Sequence, residues 1–163
     1  MEIERKFTIK QLPEDLERYE SKRIVQGYLN VDPVIRIRKQ NDEYFLTVKG
    51  KGLLAREETN LRMNEESFIH LLPKCDGNVI SKTRYLIPLY DPSFAEEYEG
   101  ERPKELLIEL DIFDEPFSPL IMAEVEFPDV EMAKAFLMPE WFDEDVTDNR
   151  EYHNSNMSRK VFN

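Results

Sequence analysis

The stretch MEIERKFTIK, residues 1–10, decides the fold, because charged and apolar side chains alternate along it. In a β-strand, successive side chains point to opposite faces of the sheet. Glu2, Glu4 and Lys6 therefore share one face, whereas Phe7 lies on the other. The pattern predicts a strand with one charged face and one apolar face.

Seven further stretches show the same period of two and are predicted as strands: Ile24–Val31, Val34–Gln40, Tyr44–Gly50, Glu57–Met63, Ile80–Leu89, Glu105–Phe113 and Leu120–Phe127. Together with Met1–Lys10 they make eight strands. The short connections between several of them, such as the turn Asn41-Asp42, indicate an antiparallel sheet.

Helical signals are fewer and short. We expect four helices: Pro13–Arg18, a helix capped by Asn64, a helix capped by Asp129, and Ser155–Val161. The polar segment Asp91–Arg102 lies between two strands and is predicted as a long mobile loop. It is either a lid or, as the plainer interpretation, a tolerated insertion.

The charged faces of the strands carry paired charges of one sign. Arg36 and Arg38 make one strand basic, whereas Glu124 and Glu126 make another acidic. Any one strand alone fits an ordinary sheet with a wet face. The whole set is better explained by a closed sheet, because a barrel of about eight strands leaves an interior for one small ligand. We therefore predict an α+β fold, a closed eight-stranded antiparallel β-barrel with a few peripheral helices.

An interior lined by both signs suits a polyphosphate bound together with a metal ion. Arginine forks match phosphate oxygens, and carboxylates match hard cations such as Mg²⁺. The charge pattern thus predicts a tunnel that binds a small polyphosphate.

Composition narrows the possible partners. The 163 residues predict one domain, 1–163, and the net charge of −12 argues against nucleic acid and anionic membranes. The single cysteine, Cys75, excludes an intrachain disulfide. With neither a signal peptide nor a long apolar run in the sequence, we expect a cytoplasmic protein.

The charged strands are also where the sequence resembles a known family. Residues 2–6, Glu-Ile-Glu-Arg-Lys, resemble the Glu-x-Glu-x-Lys motif of the CYTH superfamily, the triphosphate tunnel metalloenzymes. The resemblance continues in order through Gln26-Gly27-Tyr28-Leu29, Arg36-Ile37-Arg38, Leu46-Thr47-Val48-Lys49, Lys82-Thr83-Arg84-Tyr85, Glu109-Leu110-Asp111 and Ala123-Glu124-Val125-Glu126-Phe127. It reaches Pro139-Glu140-Trp141-Phe142 and Val146-Thr147-Asp148, so it covers nearly the whole chain.

The resemblance implies a metal-dependent triphosphatase that uses Mg²⁺ or Mn²⁺ and is similar to short bacterial inorganic triphosphatases. The implied substrate-binding residues are Lys6, Arg36, Arg38, Lys49, Arg56, Lys82 and Arg84. The implied metal ligands are Glu2, Glu4, Glu58, Glu109, Asp111, Glu124 and Glu126. Asn60 departs from the family pattern, because a second acidic residue is expected at that position.

For the chemistry we expect a catalytic set of Lys6, Tyr28 and Glu126. Tyr28 and Lys6 could form a proton-transfer pair, since a nearby ammonium favours phenolate; alternatively, Tyr28 is an ordinary strand tyrosine. The alternatives for the whole protein are an adenylate cyclase, a nucleoside or thiamine triphosphatase, or a polyphosphate-binding or nucleotide-binding module without turnover. A homodimer is also possible.

Other motifs favour no competing chemistry. Lys49-Gly50-Lys51-Gly52 lacks the spacing of a phosphate-binding P-loop and is predicted as a hairpin turn. His70 and His153 have no second histidine at metal-ligand spacing, and Cys75 has no activating partner. We expect all three to be structural or solvated.

Overall fold

The computed structural model describes residues 1–162, and antiparallel strands dominate it. The strands are β1 (Glu2–Ile9), β2 (Glu20–Val31), β3 (Val34–Gln40), β4 (Glu43–Lys49), β5 (Ala55–Arg56), β6 (Glu58–Met63), β7 (Asp76–Tyr90), β8 (Ser93–Phe94), β9 (Glu105–Phe113), β10 (Ile121–Glu126), β11 (Phe136–Leu137) and β12 (Phe142–Asp145). The helices are α1 (Glu65–Leu71), α2 (Val130–Ala135) and α3 (Asn154–Met157), with 3-10 turns at Leu16–Arg18, Leu72–Lys74 and Arg150–Tyr152.

The main sheet closes on itself. Its strands follow the order β1-β10-β9-β7-β2-β3-β4-β6, and β5 returns to β1 through the pairs Glu2–Arg56 and Ile3–Ala55. β5 and β6 are two parts of one extended segment interrupted at Glu57, so the ring has eight strands. The predicted closed eight-stranded antiparallel barrel is confirmed. β12 pairs with the second half of β1, past the residues of β1 that pair with β5.

The apolar faces of the strands point outward and form a core outside the barrel. Phe7 is fully buried, and its ring lies 6.0 Å from that of Phe136 and 4.8 Å from that of Phe142. The covering layer consists of α2, β12 and the β8–β11 pair. Each fully buried large apolar side chain contributes about 1.5–3 kcal/mol, so this layer stabilises the barrel while its interior stays polar.

Two of the predicted helices begin as expected. The side chain of Asn64 accepts a hydrogen bond from the backbone N–H of Ser67 at 2.8 Å, and that of Asp129 accepts one from Met132 at 2.7 Å. These caps satisfy backbone donors that the first helical turn leaves free.

The other two helical predictions are wrong in extent. Pro13–Arg18 contains only the 3-10 turn Leu16–Arg18, because Asp15 adopts a left-handed conformation before it. Ser155–Val161 is replaced by the shorter α3. Beyond α3 the backbone bonds to β7 instead of continuing the helix, as Asn78 N–H donates to the Ser158 carbonyl at 2.6 Å.

Gly77 allows this close approach of the C-terminal segment to β7. Its φ is +67°, and a Cβ atom there would lie 2.0 Å from the carbonyl oxygen of Ser158. The Asn78 side chain adds a hydrogen bond to the Lys160 carbonyl at 2.7 Å. The segment that carries α3 is therefore held at one end of the barrel.

The loop predictions have mixed outcomes. The Asn41-Asp42 turn is confirmed, with Asn41 at a positive φ of 52°. The segment Asp91–Arg102 contains β8, and Phe94 packs against Phe136 on the outside of the barrel. None of its residues lines the tunnel, so the structure gives the lid interpretation no support. No helix in residues 1–162 is long and apolar enough to cross a membrane.

Candidate functional site

A polar cavity lies inside the barrel and opens to solvent, and the empty space in it is about 540 Å³ when the open solvent at its mouth is included. Its walls are formed by Glu2, Glu4, Lys6, Tyr28, Val34, Arg36, Arg38, Lys49, Arg56, Glu58, Arg84, Glu109, Glu124, Glu126, Asn154 and Ser155. Every residue of the predicted site except Lys82 and Asp111 is on this wall. The alternation of the strands therefore brings the predicted residues together.

Lys82 and Asp111 lie beneath the wall and support Arg84. Lys82 is fully buried, and its Nζ atom is 2.7 Å from Asp111 Oδ2. Arg84 donates from Nε to Asp111 Oδ1 at 2.7 Å and from Nη2 to Oδ2 at 2.8 Å. Burial lowers the pKa of Lys82, although the charge of Asp111 opposes this shift. In this arrangement both residues position Arg84 from below.

Lys6 joins two of the carboxylates on the wall. Its Nζ atom lies 2.6 Å from Glu124 Oε1 and 3.0 Å from Glu4 Oε1. Burial works to lower the pKa of Lys6, but the charges of Glu124 and Glu4 outweigh it and raise that pKa. Lys6 is therefore held as an ammonium ion.

Tyr28 faces Lys6 from across the ring, because β2 is four strands from β1 in either direction. No hydrogen bond joins the two residues within the part of the chain described. The Tyr28 hydroxyl instead accepts a long contact from Gln26 Nε2 at 3.4 Å. The proton-transfer pair stays a prediction.

Arg36 and Arg38 on β3 are the cations of the wall that lack a carboxylate partner. Neither forms an ion pair with any residue in 1–162, and the buried Nε atom of Arg36 has no hydrogen-bond partner. Burial lowers the pKa of Arg38, and the charges of Arg36 and Arg84 lower it further. A buried donor without a partner is costly, so this strand is prepared to accept an anion.

Gln26 fixes the direction of one of these arginines. It is fully buried, and its Oε1 atom accepts a hydrogen bond from Arg38 Nε at 2.8 Å. Its Nε2 atom lies 3.3 Å from Asn154 Oδ1 in α3. Gln26 therefore connects the arginine strand to the helix at the end of the tunnel.

The facing strand presents an unpaired carboxylate. β10 and β3 lie four strands apart around the ring, so Glu126 faces the arginine pair across the cavity. Burial raises the pKa of Glu126, and the charges of Glu2 and Glu4 raise it further. Crowded carboxylates repel one another, and a bound cation would relieve that repulsion.

The donor set of the cavity fits a hard divalent cation chemically. Its carboxylates are Glu2, Glu4, Glu58, Glu109, Glu124 and Glu126. Oxygen ligands of this kind are those that Mg²⁺ and related ions take, usually one or two at a time. Within residues 1–162 no group of three acidic or histidine side chains is gathered at metal-ligand spacing, because several of these carboxylates pair with Lys6, Lys49 or Arg84.

The departure at Asn60 has a local consequence. Asn60 Nδ2 donates to Glu58 Oε1 at 3.1 Å, and its Oδ1 atom accepts from Thr47 at 2.5 Å. On the neighbouring strand, Lys49 Nζ lies 2.9 Å from Glu2 Oε1. The amide thus orients Glu58, where a second acid would repel it.

Two polar residues of the wall, Asn154 and Ser155, were not predicted as site residues from the sequence. They come from α3, nearly the whole length of the chain away from β1, and no alternation pattern marks them. The short helix was predicted only as part of a tail. Its position in the tunnel follows from packing against β7, which no local sequence pattern shows.

The two histidines and the cysteine lie outside the tunnel wall. His153 is buried, and its Nε2 atom lies 2.9 Å from the Thr147 carbonyl oxygen. Cys75 is a free, half-buried thiol whose pKa is raised by burial. His70 lies on α1, outside the cavity wall. None of the three lies on the tunnel wall, and their structural or solvated role stays a prediction.

A closed antiparallel barrel with a charged interior defines the class of triphosphate tunnel proteins. The sequence is 35% identical over 163 residues to an inorganic triphosphatase of Nitrosomonas europaea, covering 98% of both chains. It is 31% identical over 168 residues to an inorganic triphosphatase of Acetivibrio thermocellus, covering 99% of this chain and 95% of that one. The chain belongs to this family, the inorganic triphosphatases of the CYTH superfamily.

Solved structures give the same result for the fold. The crystal structure of an inorganic triphosphatase aligns with a TM-score of 0.67 and 33% identity, over 99% of this chain and 96% of the other. A Hippeastrum protein described as a putative adenylyl cyclase with dominant triphosphatase activity aligns with a TM-score of 0.53 over 82% of this chain. At 15% identity, that likeness concerns the fold alone. No protein-family model matches the sequence.

Proposed function

We propose that the protein hydrolyses inorganic tripolyphosphate to pyrophosphate and orthophosphate inside the barrel. The proposal rests on Arg36 and Arg38, two arginines that have no carboxylate partner among residues 1–162. They face Glu126, a carboxylate that has no cationic partner in the same range. An anion chain on one side and a cation on the other would complete both sets of charges. The names of the curated relatives support the same reaction.

The basic residues of the wall hold the substrate. Arg36 and Arg38 donate to phosphate oxygens, and the fork geometry of a guanidinium suits two oxygens at once. Arg84 is held rigid by Asp111 and reaches the cavity from the neighbouring side. Phosphoryl transfer depends on such positioning and on charge stabilisation more than on covalent chemistry.

The metal is proposed to be Mg²⁺ or Mn²⁺, held by Glu126 with Glu2 and Glu4. Such an ion would supply positive charge that offsets the charge of the phosphate chain. In the reaction, a water oxygen bonds to the terminal phosphorus and one P–O–P bridge breaks. The Tyr28 hydroxyl, at the cavity wall, is proposed to take part in transferring the water proton.

The test is phosphate release from purified protein with Mg²⁺ or Mn²⁺, comparing tripolyphosphate, ATP, thiamine triphosphate and pyrophosphate. We expect fast release from tripolyphosphate, little from the other three, and none after EDTA. Preferred release from ATP would assign a nucleotidase, and cyclic AMP without phosphate a cyclase. Binding of tripolyphosphate without any release would assign a binding module and refute the proposed hydrolysis.

A further inference from the structure

A second cavity adjoins the tunnel at the end that carries α3. It holds about 1110 Å³ of empty space, partly open to solvent, between the β2–β3 turn, the β4–β5 loop and the C-terminal segment. Its wall includes Lys51, Arg56, Arg150, Arg159 and Asp32. We call this cavity the basic vestibule.

The vestibule has an excess of positive charge in an acidic protein. Four cationic side chains and one carboxylate line it, whereas the whole chain has a net charge of −12. Lys51, Arg150 and Arg159 form no ion pair with any residue between 1 and 162. Like charges gathered without partners repel one another, and an anion between them would relieve that repulsion.

The vestibule and the tunnel share part of their walls. Val34, Arg56 and Ser155 line both spaces, so only the width of these side chains separates them. Arg159 is held at this place by the attachment of the C-terminal segment to Asn78 of β7. The backbone that carries Arg159 is therefore held beside the tunnel end.

We propose that the basic vestibule is a second anion site that binds an inorganic phosphate of the size of orthophosphate or pyrophosphate. Arginine forks and a lysine suit phosphate oxygens. The only aromatic ring on its described wall is the imidazole of His153, which is bonded to Thr147, so no ring is free to stack on a nucleotide base. The anion comes either from solution or from the tunnel, which releases both species under the proposed function.

The test is an NMR titration of the backbone amides with sodium pyrophosphate or sodium phosphate in EDTA, so that neither metal nor turnover is needed. The double variant Arg150→Gln/Arg159→Gln is compared with Lys104→Gln/Lys134→Gln, which removes the same charge from exposed positions outside both cavities. A tunnel variant, Arg38→Ala, separates the two sites.

We expect pyrophosphate to shift the amides of Lys51 and Asn156 in the wild type, in the control and in Arg38→Ala. In Arg150→Gln/Arg159→Gln the affinity reported by those amides should fall at least about tenfold. Tighter binding of pyrophosphate than of orthophosphate would assign the site to the larger anion; the reverse would assign it to orthophosphate.

Equal affinity in the vestibule variant and the control would overturn the proposal. So would the loss of the Lys51 and Asn156 shifts in a folded Arg38→Ala protein, because the anion would then bind only in the tunnel. Neither result depends on hydrolysis. A failure of this inference is thus distinguishable from a failure of the proposed triphosphatase activity.

Discussion

Lys82 is where the family resemblance and the structure lead to different expectations. The resemblance implies that Lys82 binds phosphate, whereas the structure buries it completely against Asp111, beneath the cavity wall. Lys82→Met keeps the length of the side chain but removes its charge. We expect this substitution to lower stability and to leave substrate affinity nearly unchanged.

The magnitude follows from the contacts of the pair. Removing one partner of a buried ion pair costs about 3–5 kcal/mol. The lower end applies here, because Asp111 keeps two hydrogen bonds from Arg84. At about 2–4 °C per kcal/mol for a chain of this size, a loss of about 3 kcal/mol lowers Tm by about 6–12 °C.

Arg36→Met is the matched comparison, since it removes a cation that has no carboxylate partner. The substitution removes the 3.2 Å hydrogen bond to Thr47, which is a small loss. It also removes the Nε atom that has no hydrogen-bond partner, which is a gain. Tm should therefore stay the same or rise. Its kcat/KM for tripolyphosphate should fall at least about tenfold, because a charge-assisted bond to phosphate is worth about 1.5–3 kcal/mol.

The assay combines thermal melting by circular dichroism with phosphate release at a temperature where both variants are folded. For Lys82→Met we expect a lowered Tm with KM within about threefold of wild type. For Arg36→Met we expect an unchanged or raised Tm with kcat/KM at least about tenfold lower. An unchanged Tm with a KM raised more than about tenfold in Lys82→Met would refute the reasoning, since Lys82 would then contact phosphate directly.

Three further predictions concern other parts of the barrel. Glu126→Gln should nearly abolish turnover yet raise Tm at neutral pH. Because the pKa of Glu126 is raised in the fold, this gain in Tm should vanish at acidic pH. A fully active variant would exclude Glu126 as a metal ligand. Gln26→Leu should raise KM in phosphate-release assays, because Arg38 loses the hydrogen bond that orients it. Gln26→Glu should partly restore KM, since its carboxylate still accepts a hydrogen bond from Arg38 Nε. An equal rise of KM in both variants would count against this role. Asp145→Asn should lower the free energy of unfolding by up to about 1 kcal/mol at pH 7 in urea titrations, because it removes the charge of a partly exposed carboxylate that pairs with Arg5. The pKa of Asp145 is lowered in the fold, so its contribution is present above the unfolded pKa and is lost as pH falls through the folded one; a difference that persists at low pH would contradict this account.

The eight strands and most of the cavity wall could be predicted from the sequence. Alternation has a period of two in any strand, so the faces of Glu2 and Glu4, or of Arg36 and Arg38, follow from local geometry alone. The predicted strands Val34–Gln40 and Glu105–Phe113 agree with the observed limits of β3 and β9. Caps such as Asn64 were predictable for the same reason, because a cap acts within three residues of itself.

Depth within the barrel could not be predicted in this way. Lys82 and Arg84 share a face, yet one lies under the wall and the other on it, because depth depends on the stagger between strands. The same is true of the pairing of Lys6 with Glu124, which joins residues 118 positions apart. A pattern within one strand carries no information about its register against another.

The sequence by itself determined the strands, their charged faces and the classes of ligand that those charges fit. Only the tertiary structure decided which charges neutralise each other and which remain unpaired for a ligand. It also placed Asn154 and the basic vestibule at the tunnel end, through contacts between the C-terminal segment and β7. The physical reason is that side-chain direction is a local property of the backbone, whereas charge compensation depends on distances between residues far apart in the chain.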